Sequence, residues 1–563
     1  MSEVAVDRRP ASVPVAAPPP PPSADRARRR PPRMRPPAWL WVPAVLVAVT
    51  MLVPLAYLAV RAGGAGRQAL SIAGDPATLR VLANTAVLAA LVTAASALIA
   101  VPLAWLTTRT DLPGRRVWAV LTALPLVIPS YVGGFAYIAA FGPRGMLQSL
   151  LAPLGVERLP DIYGLPGAVL TLTLFSFPYL LLIVRGALLG MDPSLEEASR
   201  SLGHSPTQTF RRVTLPQLRP AIGAGALLVA LYTLSDFGAV SLLRFNSFTR
   251  AIYVQYQAAF DRTPAAVLAV LLVAFTAVLL LVEARTRRRV RYHGTSAVAA
   301  RRQPVVALGR WRGPALALCA TVVALGLVVP IGVLSFWLVR GVRAGEPLRL
   351  LSGAAWNSVQ AAGLAAAVAA LAAVPVALLA ARHRSRLTTL IERTTYMGYA
   401  LPGIVVALSL VFFGARYAGP LYQTLALLVF AYVVLFLPQA VGATRASALQ
   451  IPPSVEEAAR GLGRRTPSVL LTVTGPLMRP GVLAGAALVF LTAMKELPAT
   501  LLLGPAGYTT LATSIWNAAS EAFFARAAAP ALLLVLLSGV PLAFLLSRRH
   551  DLGAPAVSEG GRS

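Results

Sequence analysis

Three charged side chains stand inside long apolar stretches of the sequence, where removing them from water is costly. Asp236 interrupts the apolar run Pro220–Leu243, and Lys495 with Glu496 interrupts the run Pro480–Leu503 at the matching depth. Charged groups inside membrane spans are rare because of this cost, and by default they are candidates for a translocation path. We predict that Lys495 pairs with Asp236, which leaves Glu496 near that path. The alternative is a purely structural ion pair that fixes the register of the two halves of the molecule.

A second candidate site is a polar segment that occurs twice. Residues 191–222 align without a gap on residues 451–482, with 13 of 32 positions identical. Because both segments are polar loops, a shared lipid-facing composition does not explain the match. Self-similarity at a fixed spacing is the mark of a repeated structural unit. The chain therefore contains two copies of one module, and Asp236 lies opposite Glu496 in the alignment.

Each copy of the repeated segment begins with the spacing Ser-x-x-Glu, at which a serine and a glutamate can satisfy each other's backbone N–H groups at a helix start. A glycine six residues after the glutamate then provides a position that tolerates positive φ and ends the helix. These residues are Ser194, Glu197 and Gly203 in the first copy and Ser454, Glu457 and Gly463 in the second. A helix of about two turns is too short to be stable alone in water. It predicts a docking partner in the cytoplasm.

The composition of the rest of the chain is typical of a membrane protein. Hydrophobic residues make up 57% of the 563 residues and charged residues only 13%. About 20 apolar residues in a helix cross a bilayer, and backbone groups in lipid must pair within their own segment, which favours helices. The sequence predicts an all-α polytopic membrane protein with twelve spans, six in each module. They are Pro36–Val60, Val81–Thr108, Val117–Pro143, Ile162–Val184, Pro220–Leu243, Thr263–Val282, Gly313–Val339, Leu350–Ala381, Thr394–Ala415, Tyr417–Thr444, Pro480–Leu503 and Ala527–Ser547.

The formal net charge of +30 is concentrated on one side of the predicted spans. The basic stretches include Arg28–Arg30, Arg285–Arg291 and Arg548–Arg549. Since cytoplasmic loops carry the excess of Lys and Arg in membrane proteins, both termini are predicted to be cytoplasmic. We interpret these stretches as anchors beside anionic membrane lipid and predict no nucleic-acid partner.

The spans and the repeat divide the chain into two modules and three polar segments. The N-terminal segment, rich in Pro and Arg, cannot bury apolar surface and is predicted to be disordered. The predicted segments are a cytoplasmic arm at 1–35, a first module at 36–284 with its core at about 80–284, a basic cytoplasmic linker at 285–312, a second module at 313–548 with its core at about 353–547, and a cytoplasmic tail at 549–563.

The repeated loops resemble a known family. EEASRSLG at 196–203 and EEAARGLG at 456–463, each followed by a proline, resemble the Glu-Ala-Ala…Gly…Leu-Pro loop of type I ATP-binding-cassette importer permeases. In that family the loop is a coupling helix that docks into an ATPase subunit. Two positions depart from the pattern: Ser199 stands for the second alanine in the first copy, and Gly475 stands for the leucine in the second copy. The resemblance implies coupling roles for Glu197, Ala198, Gly203 and Pro216 and for Glu457, Ala458, Gly463 and Pro476.

The energy source is predicted to lie outside this chain. A Walker A loop needs a lysine for the phosphates, and the only lysine, Lys495, lies inside a span. The resemblance implies a separate ATPase subunit in two copies and an extracytoplasmic substrate-binding protein. We therefore predict a transport subunit of the bacterial inner membrane that is not an enzyme and holds no cofactor.

The surroundings of the charged residues resemble a narrower group. SDFGAVSLLRFNSFTRAIYVQY at 235–256 and KELPATLLLGPAGYTTLAT at 495–513 are similar to the fused permeases of ferric-iron importers. Ferric iron is the predicted substrate, with thiamine, polyamine and phosphonate as alternatives. The four histidines and Cys319 form no cluster with metal-ligand spacing, so no metal site is predicted in this chain.

A secondary transporter driven by an ion gradient is the alternative from another class. Twelve helices in two related halves suit that architecture as well. The two loops discriminate between the classes, because a carrier has no reason for two matched Glu-Ala segments, whereas two ATPases need two docking sites.

Overall fold

The computed structural model describes residues 37–258, 262–287, 305–346, 350–383 and 385–551, and these residues form helices and no strand. The first half contains α1 (Ala38–Gly63), α2 (Gly66–Gly74), α3 (Pro76–Arg109), α4 (Arg115–Leu121), α5 (Ser130–Phe141), α6 (Met146–Leu151), α7 (Leu165–Leu189), α8 (Ser194–Ser201), α9 (Pro206–Thr209), α10 (Leu215–Ser235), α11 (Gly238–Leu242), α12 (Phe248–Ala258) and α13 (Thr263–Arg287). The predicted arm at 1–35 lies outside the described residues.

The second half follows the same order of elements. It contains α14 (Arg312–Val323), α15 (Val329–Arg343), α16 (Leu350–Arg382), α17 (Arg386–Thr395), α18 (Gly403–Tyr417), α19 (Leu425–Gln450), α20 (Pro453–Gly461), α21 (Thr466–Val469), α22 (Gly475–Ala493), α23 (Pro498–Leu503), α24 (Leu511–Ser520) and α25 (Phe524–Asp551). Short 3-10 segments lie at Leu124–Val127, Ala152–Leu154, Gly309–Trp311, Tyr396–Ala400 and Gly419–Leu421, and π segments lie at Phe210–Thr214, Ala324–Val328 and Leu470–Thr474. The all-α polytopic fold class is confirmed.

The number of spans differs from the prediction. Within the described residues, nine helical stretches are long and apolar enough to cross a bilayer, and two bent helix pairs raise the number to eleven. The bent pairs are the predicted third and ninth spans, with bends of 96° between α4 and α5 and 104° between α17 and α18. Pro129 and Pro402 stand at these bends, in extended conformation at the start of the next helix, where proline breaks a continuing helix. The count of twelve is not confirmed.

The two modules share a core of three packed helices. In the first module α3, α7 and α10 pack against one another, and in the second α16, α19 and α22 do the same. A glycine allows close approach in each: a Cβ added at Gly225 would lie 2.8 Å from Leu180 Cγ, and one at Gly485 would lie 2.9 Å from Ala440 Cα. Small residues at such crossings let helices in lipid pack closely. The duplication seen in the loops therefore extends to the helix core.

The first helices of the modules are exchanged between them. Helix α1 packs against α16, α17 and α18 of the second module, and α15 packs against α5 of the first module as well as against α25. The Tyr137 hydroxyl on α5 also donates a hydrogen bond to the carbonyl of Leu325 at 2.8 Å. Each module is thus enclosed partly by the other.

The end of the predicted linker joins the first module. Residues 305–312 are described, and residues 288–304 of the linker are not. Val306 forms a parallel bridge with Thr110, and its N–H donates to the Arg109 carbonyl at 2.8 Å. The Asp111 carboxylate accepts from Leu308 N–H at 2.8 Å and from the Arg312 guanidinium, which holds the pKa of Asp111 below its usual value. The described end of the linker, residues 305–312, is therefore fixed beside the end of α3.

Candidate functional site

The repeated loops form short helices at the end of the bundle where α3 and α16 end. Helix α8 has eight residues and α20 has nine. Gly203 and Gly463 follow them with φ of +84° and +83°, in the left-handed region that the sequence predicted for these glycines. We call α8 and α20 the loop helices.

The predicted coupling residues at the start of the motif point outward. Glu197 with Ala198 on α8, and Glu457 with Ala458 on α20, are exposed. Two large apolar side chains accompany them, because Leu202 is 78% exposed and Leu462 is 84% exposed. Each loop helix, together with the leucine that directly follows it, therefore presents a carboxylate, a small residue and a leucine to the solvent. An exposed face of this composition fits a protein partner.

The predicted capping boxes are not formed. Pro193 is the residue before α8 and Pro452 is the residue before α20, and neither helix has a side-chain cap. Ser194 is the first residue of α8, so its hydroxyl is placed within the helix and its N–H donates instead to Asp192 Oδ1 at 3.0 Å. The prediction was wrong because each helix begins one or two residues earlier than the box requires.

The glutamate before the motif has a structural role that the sequence analysis missed. Glu196 is 5% exposed, and its Oε2 lies 3.7 Å from Arg109 Nη1 at the end of α3. Thr214 Oγ1 donates to Glu196 Oε1 at 2.9 Å. Arg109 also donates to the carbonyl of Leu188 at 3.0 Å. We call Arg109, Glu196 and Thr214 the first anchor.

The second module repeats this arrangement. Arg382, the last residue of α16, donates to Glu456 Oε1 from Nε at 3.1 Å and from Nη2 at 2.7 Å. Thr474 Oγ1 donates to the same oxygen at 3.3 Å. We call Arg382, Glu456 and Thr474 the second anchor. In each module the anchor fixes the loop helix to the end of a core helix.

A signal for the anchors was present in the sequence. Both glutamates of each Glu-Glu pair, and the threonines Thr214 and Thr474, are identical between the copies, although the first glutamate of each pair precedes the Glu-Ala-Ala pattern itself. Neighbouring residues on a helix point about 100° apart, so a docked helix exposes only one of two adjacent glutamates. The pair Glu-Glu in both copies therefore indicates one outward and one inward carboxylate.

The predicted prolines lie at the membrane side of the loops. Pro216 is near the start of α10 and Pro476 near the start of α22, and both are half-buried. A π segment precedes each of them, at Phe210–Thr214 and Leu470–Thr474. A proline ring clashes with the carbonyl four residues earlier in a regular α-helix, and the wider π turn removes that clash. The prolines shape the return of the chain into the bundle and do not belong to the exposed face.

The two acidic residues in the spans lie at helix breaks. Helix α10 ends at Ser235, and the Asp236 Oδ1 atom accepts from the N–H groups of Ala239 at 3.1 Å and Val240 at 3.2 Å, at the start of α11. The Ser130 hydroxyl donates to the other oxygen of Asp236. Asp236 therefore acts as the cap of α11, and a continuous helix was the wrong expectation here.

The equivalent break in the second module is capped by a longer acid. Glu496 Oε1 accepts from Ala499 N–H at 3.2 Å, at the start of α23. Gly403 takes the place of Ser130, and a Cβ added there would lie 2.6 Å from Glu496 Oε1. The shorter acid is thus combined with a serine and the longer acid with a glycine.

The predicted ion pair between Lys495 and Asp236 is not formed among the described residues. Lys495 Nζ donates to the Leu126 carbonyl at 3.2 Å, at the bend between α4 and α5 of the other module. Both carboxylate oxygens of Asp236 already accept hydrogen bonds, one from N–H groups at the start of α11 and the other from the Ser130 hydroxyl. The expectation of a pair was wrong because the helix break turns the carboxylate toward free N–H groups nearby. Lys495 does link the two modules, through a carbonyl.

The described part of the chain brings no three His, Cys, Asp or Glu residues together as a metal site. Cys319 is buried within α14. The arrangement as a whole consists of two outward-facing loop helices, two anchors and two capped breaks in one helical bundle.

This architecture defines a membrane permease, and the comparisons with known proteins agree. Residues 97–292 and 373–551 match the family described as binding-protein-dependent transport system inner membrane component. These segments cover more than half of the chain, one in each module. The chain belongs to this family and is a multi-pass transport subunit of a binding-protein-dependent importer.

Several relatives are similar over much of their length. The Fe(3+)-transport system permease protein FbpB 2 of Haemophilus influenzae is 36% identical over 522 residues, 91% of this chain and 99% of that protein. The ferric transport system permease protein FbpB of Actinobacillus pleuropneumoniae is 26% identical over 502 residues, 85% of this chain and 73% of that protein. The molybdenum transport system permease protein ModB of Escherichia coli is 32% identical over 191 residues, 32% of this chain and 80% of that protein.

Proposed function

We propose that this chain is the permease of an ATP-driven importer of ferric iron and that two copies of a separate ATPase drive it through the loop helices. The observation that carries the coupling role is the matched pair α8 and α20. Both expose a glutamate and an alanine, both are directly followed by an exposed leucine, and both are fixed by an anchor to a core helix. Glu197, Ala198 and Gly203, with Glu457, Ala458 and Gly463, are the residues of this contact, while Pro216 and Pro476 set the return path of the chain.

Iron is supported by the relatives that span nearly the whole chain. The Haemophilus influenzae and Actinobacillus pleuropneumoniae proteins carry ferric transport in their names and match both modules. The molybdenum relative matches about a third of the chain. Thiamine, polyamine and phosphonate remain the alternative substrates, together with molybdenum and sulfate, which two Escherichia coli relatives carry in their names. Asp236, Lys495 and Glu496 are the candidate residues of the translocation path at the module interface.

The partners and orientation follow from the same proposal. The loop helices lie in the cytoplasm, and α1 begins at their side of the bundle, which favours cytoplasmic termini. An extracytoplasmic binding protein delivers the substrate to the opposite face, and the basic segments contact membrane lipid. The arm at 1–35, the modules at 36–284 and 313–548, the linker at 285–312 and the tail at 549–563 complete this organisation.

Uptake by reconstituted vesicles tests the proposal. We expect radioactive ferric iron to enter vesicles that contain the permease, its ATPase and its loaded binding protein, and to require ATP. Excess molybdate, sulfate, thiamine, polyamine or phosphonate should not compete. The double variant Glu197→Arg and Glu457→Arg should insert normally and lose uptake, because it reverses both exposed charges.

Two results would contradict the proposal. Uptake that continues without the ATPase and follows an ion gradient would identify a secondary transporter. Uptake of one of the other substrates in place of iron would keep the importer class and change its substrate.

A further inference from the structure

A row of four polar side chains ties the first loop helix to the chain that follows it. Ser199 on α8 is 6% exposed, and its hydroxyl lies 3.1 Å from His204 Nδ1 and 3.1 Å from Thr209 Oγ1. On the other side of the ring, Arg212 Nη1 lies 3.2 Å from His204 Nε2. We call Ser199, His204, Thr209 and Arg212 the brace. It joins α8, the end of α9 and the π segment Phe210–Thr214 around one imidazole ring.

The brace needs a neutral histidine. A guanidinium only donates hydrogen bonds, so His204 Nε2 must accept from Arg212. A neutral imidazole has one donor and one acceptor, which places its proton on Nδ1 and directs it to the Ser199 hydroxyl. Protonation turns Nε2 into a second donor that faces a cation. The hydrogen bond between Arg212 and His204 is then lost, because neither group can accept.

The second module makes the same tie without a histidine. The positions that correspond to the ring and the guanidinium are Arg464 and Thr472, and Arg464 Nη1 donates to Thr472 Oγ1 at 2.7 Å. The two hydroxyl residues of the brace are replaced by Ala459 and Val469, which are 8% and 3% exposed. Both modules therefore link the turn after the loop helix to the π segment, but donor and acceptor are reversed. Only the tie in the first module depends on a group that titrates near neutral pH.

The charged side chains around the brace do not offer the ring a carboxylate. Glu196 is held by Arg109 in the first anchor, and Glu197 is exposed. Within the described residues, the hydrogen-bond partners of the His204 ring are Ser199 and Arg212. The basic side chains of the neighbouring segments are Arg200 on α8 and Arg211 and Arg212 in the π segment. A proton on the ring therefore meets a guanidinium and gains no acidic partner.

We propose that His204 is a positioning residue that makes the attachment of the first loop helix sensitive to cytoplasmic pH. The inference rests on the proposed coupling role of α8. While the ring is neutral, the brace holds the turn that carries Leu202 and Gly203 against the π segment. Histidine is the side chain that changes its charge between about pH 5 and 8. A fall in cytoplasmic pH opens the brace at Arg212 and lowers uptake, while the tie of the second loop helix stays closed.

The first test follows the brace in the full-length permease without its ATPase, so it does not depend on the coupling role. Amide hydrogen exchange is measured at about pH 5.5 and about pH 8 and is corrected for the intrinsic pH dependence of exchange. Exchange of residues 196–214, relative to residues 456–474, should be about fivefold faster at the lower pH, as expected for the loss of one hydrogen bond. An unchanged ratio overturns the proposal, and this measurement needs no variant.

Exchanging the tie between the modules tests whether the histidine is the cause. His204→Arg with Arg212→Thr gives the first module the pair of the second, and it should remove the pH dependence of exchange. Arg464→His with Thr472→Arg should introduce that dependence in the second module. The matched control Arg211→Gln changes the neighbouring exposed arginine and should keep the wild-type dependence. A dependence that survives in the first double variant belongs to another group and overturns the proposal.

Uptake by reconstituted vesicles tests the consequence for transport. With the pH set on the cytoplasmic side, the ratio of uptake at about pH 8 to uptake at about pH 5.5 should be about threefold larger for the wild type than for His204→Arg with Arg212→Thr. The comparison cancels the pH dependence of the ATPase and of the binding protein, which are the same in both samples. Equal ratios together with pH-dependent exchange would uphold the brace and contradict the coupling role of α8.

Discussion

The two anchors join the same residue types but differ in burial and geometry. In the first, the side chains of Arg109 and Glu196 are 2% and 6% exposed, and their closest charged atoms are 3.7 Å apart. In the second, the side chains of Arg382 and Glu456 are 16% and 18% exposed, and their closest charged atoms are 2.7 Å apart. The first pair is deeper and looser, and the second is shallower and tighter.

This difference follows from what surrounds each arginine. Arg109 divides its contacts between Glu196 and the Leu188 carbonyl, and its own carbonyl accepts from Val306 of the linker. Arg382 directs two nitrogens to a single oxygen of Glu456. Burial makes removal of one partner costly, since the other charge is left without compensation. The same three residue types therefore do not give equal attachments in the two modules.

Removing the anchor glutamates should show the difference between the two modules most clearly. We expect Glu196→Ala to destabilise the protein by about 3–5 kcal/mol, because Arg109 then lies buried without a carboxylate. Glu456→Ala should cost about 2 kcal/mol, because Arg382 can reach solvent. Thermal unfolding in detergent measures both changes.

The neighbouring exposed glutamate is the control for this comparison. Glu197→Ala should leave the unfolding temperature unchanged and lower uptake. The double variant Arg109→Met and Glu196→Met should recover much of the lost stability, since it leaves no lone buried charge. Equal losses for Glu196→Ala and Glu456→Ala would show that burial does not distinguish the anchors.

Replacing the glycine after either loop helix should lower uptake by the same amount. Gly203→Leu and Gly463→Leu place a side chain in open space but at positive φ, which costs about 1–2 kcal/mol in the loop conformation. We expect normal insertion and about tenfold less uptake from either change. Gly363→Leu is the matched control, because that glycine lies within α16, away from the loop helices, and also faces open space. Wild-type uptake by both glycine variants would exclude a coupling role.

The capped breaks should differ in which residue they tolerate. Gly403→Ser should cost about 1 kcal/mol, because the new Cβ displaces Glu496 from its cap on α23. Adding Glu496→Asp should restore the stability, since it reproduces the combination of Ser130 with Asp236. A double-mutant cycle on unfolding temperatures measures this coupling. Additive effects would mean that the two breaks are not equivalent.

Replacing the lysine at the module interface should change the stability least. Lys495→Met removes one hydrogen bond to the Leu126 carbonyl, for about 1 kcal/mol or less. The corresponding residue of the first module is Ser235, so this link exists on one side only. Assembly is followed by size-exclusion chromatography and transport by ferric-iron uptake. Intact assembly with normal uptake would remove Lys495 from the translocation path.

Local patterns predicted the loops well and long-range contacts poorly. The short helices and the positive φ of Gly203 and Gly463 depend on residues close in sequence. The partner of Glu196 is Arg109, on a helix that no local pattern connects with the loop. The pair of Lys495 with Asp236 was expected because both were placed in continuous helices, whereas each lies at a break whose free N–H groups or carbonyls are nearer.

The exchanged first helices determine what happens when the linker between the modules is cut. Since α1 packs on the second module and α15 on the first, the covalent connection is not what keeps the halves together. A protease cut between residues 287 and 305 should leave a particle of unchanged size. The packing of each first helix on the opposite module is then sufficient to hold the two cleaved halves together.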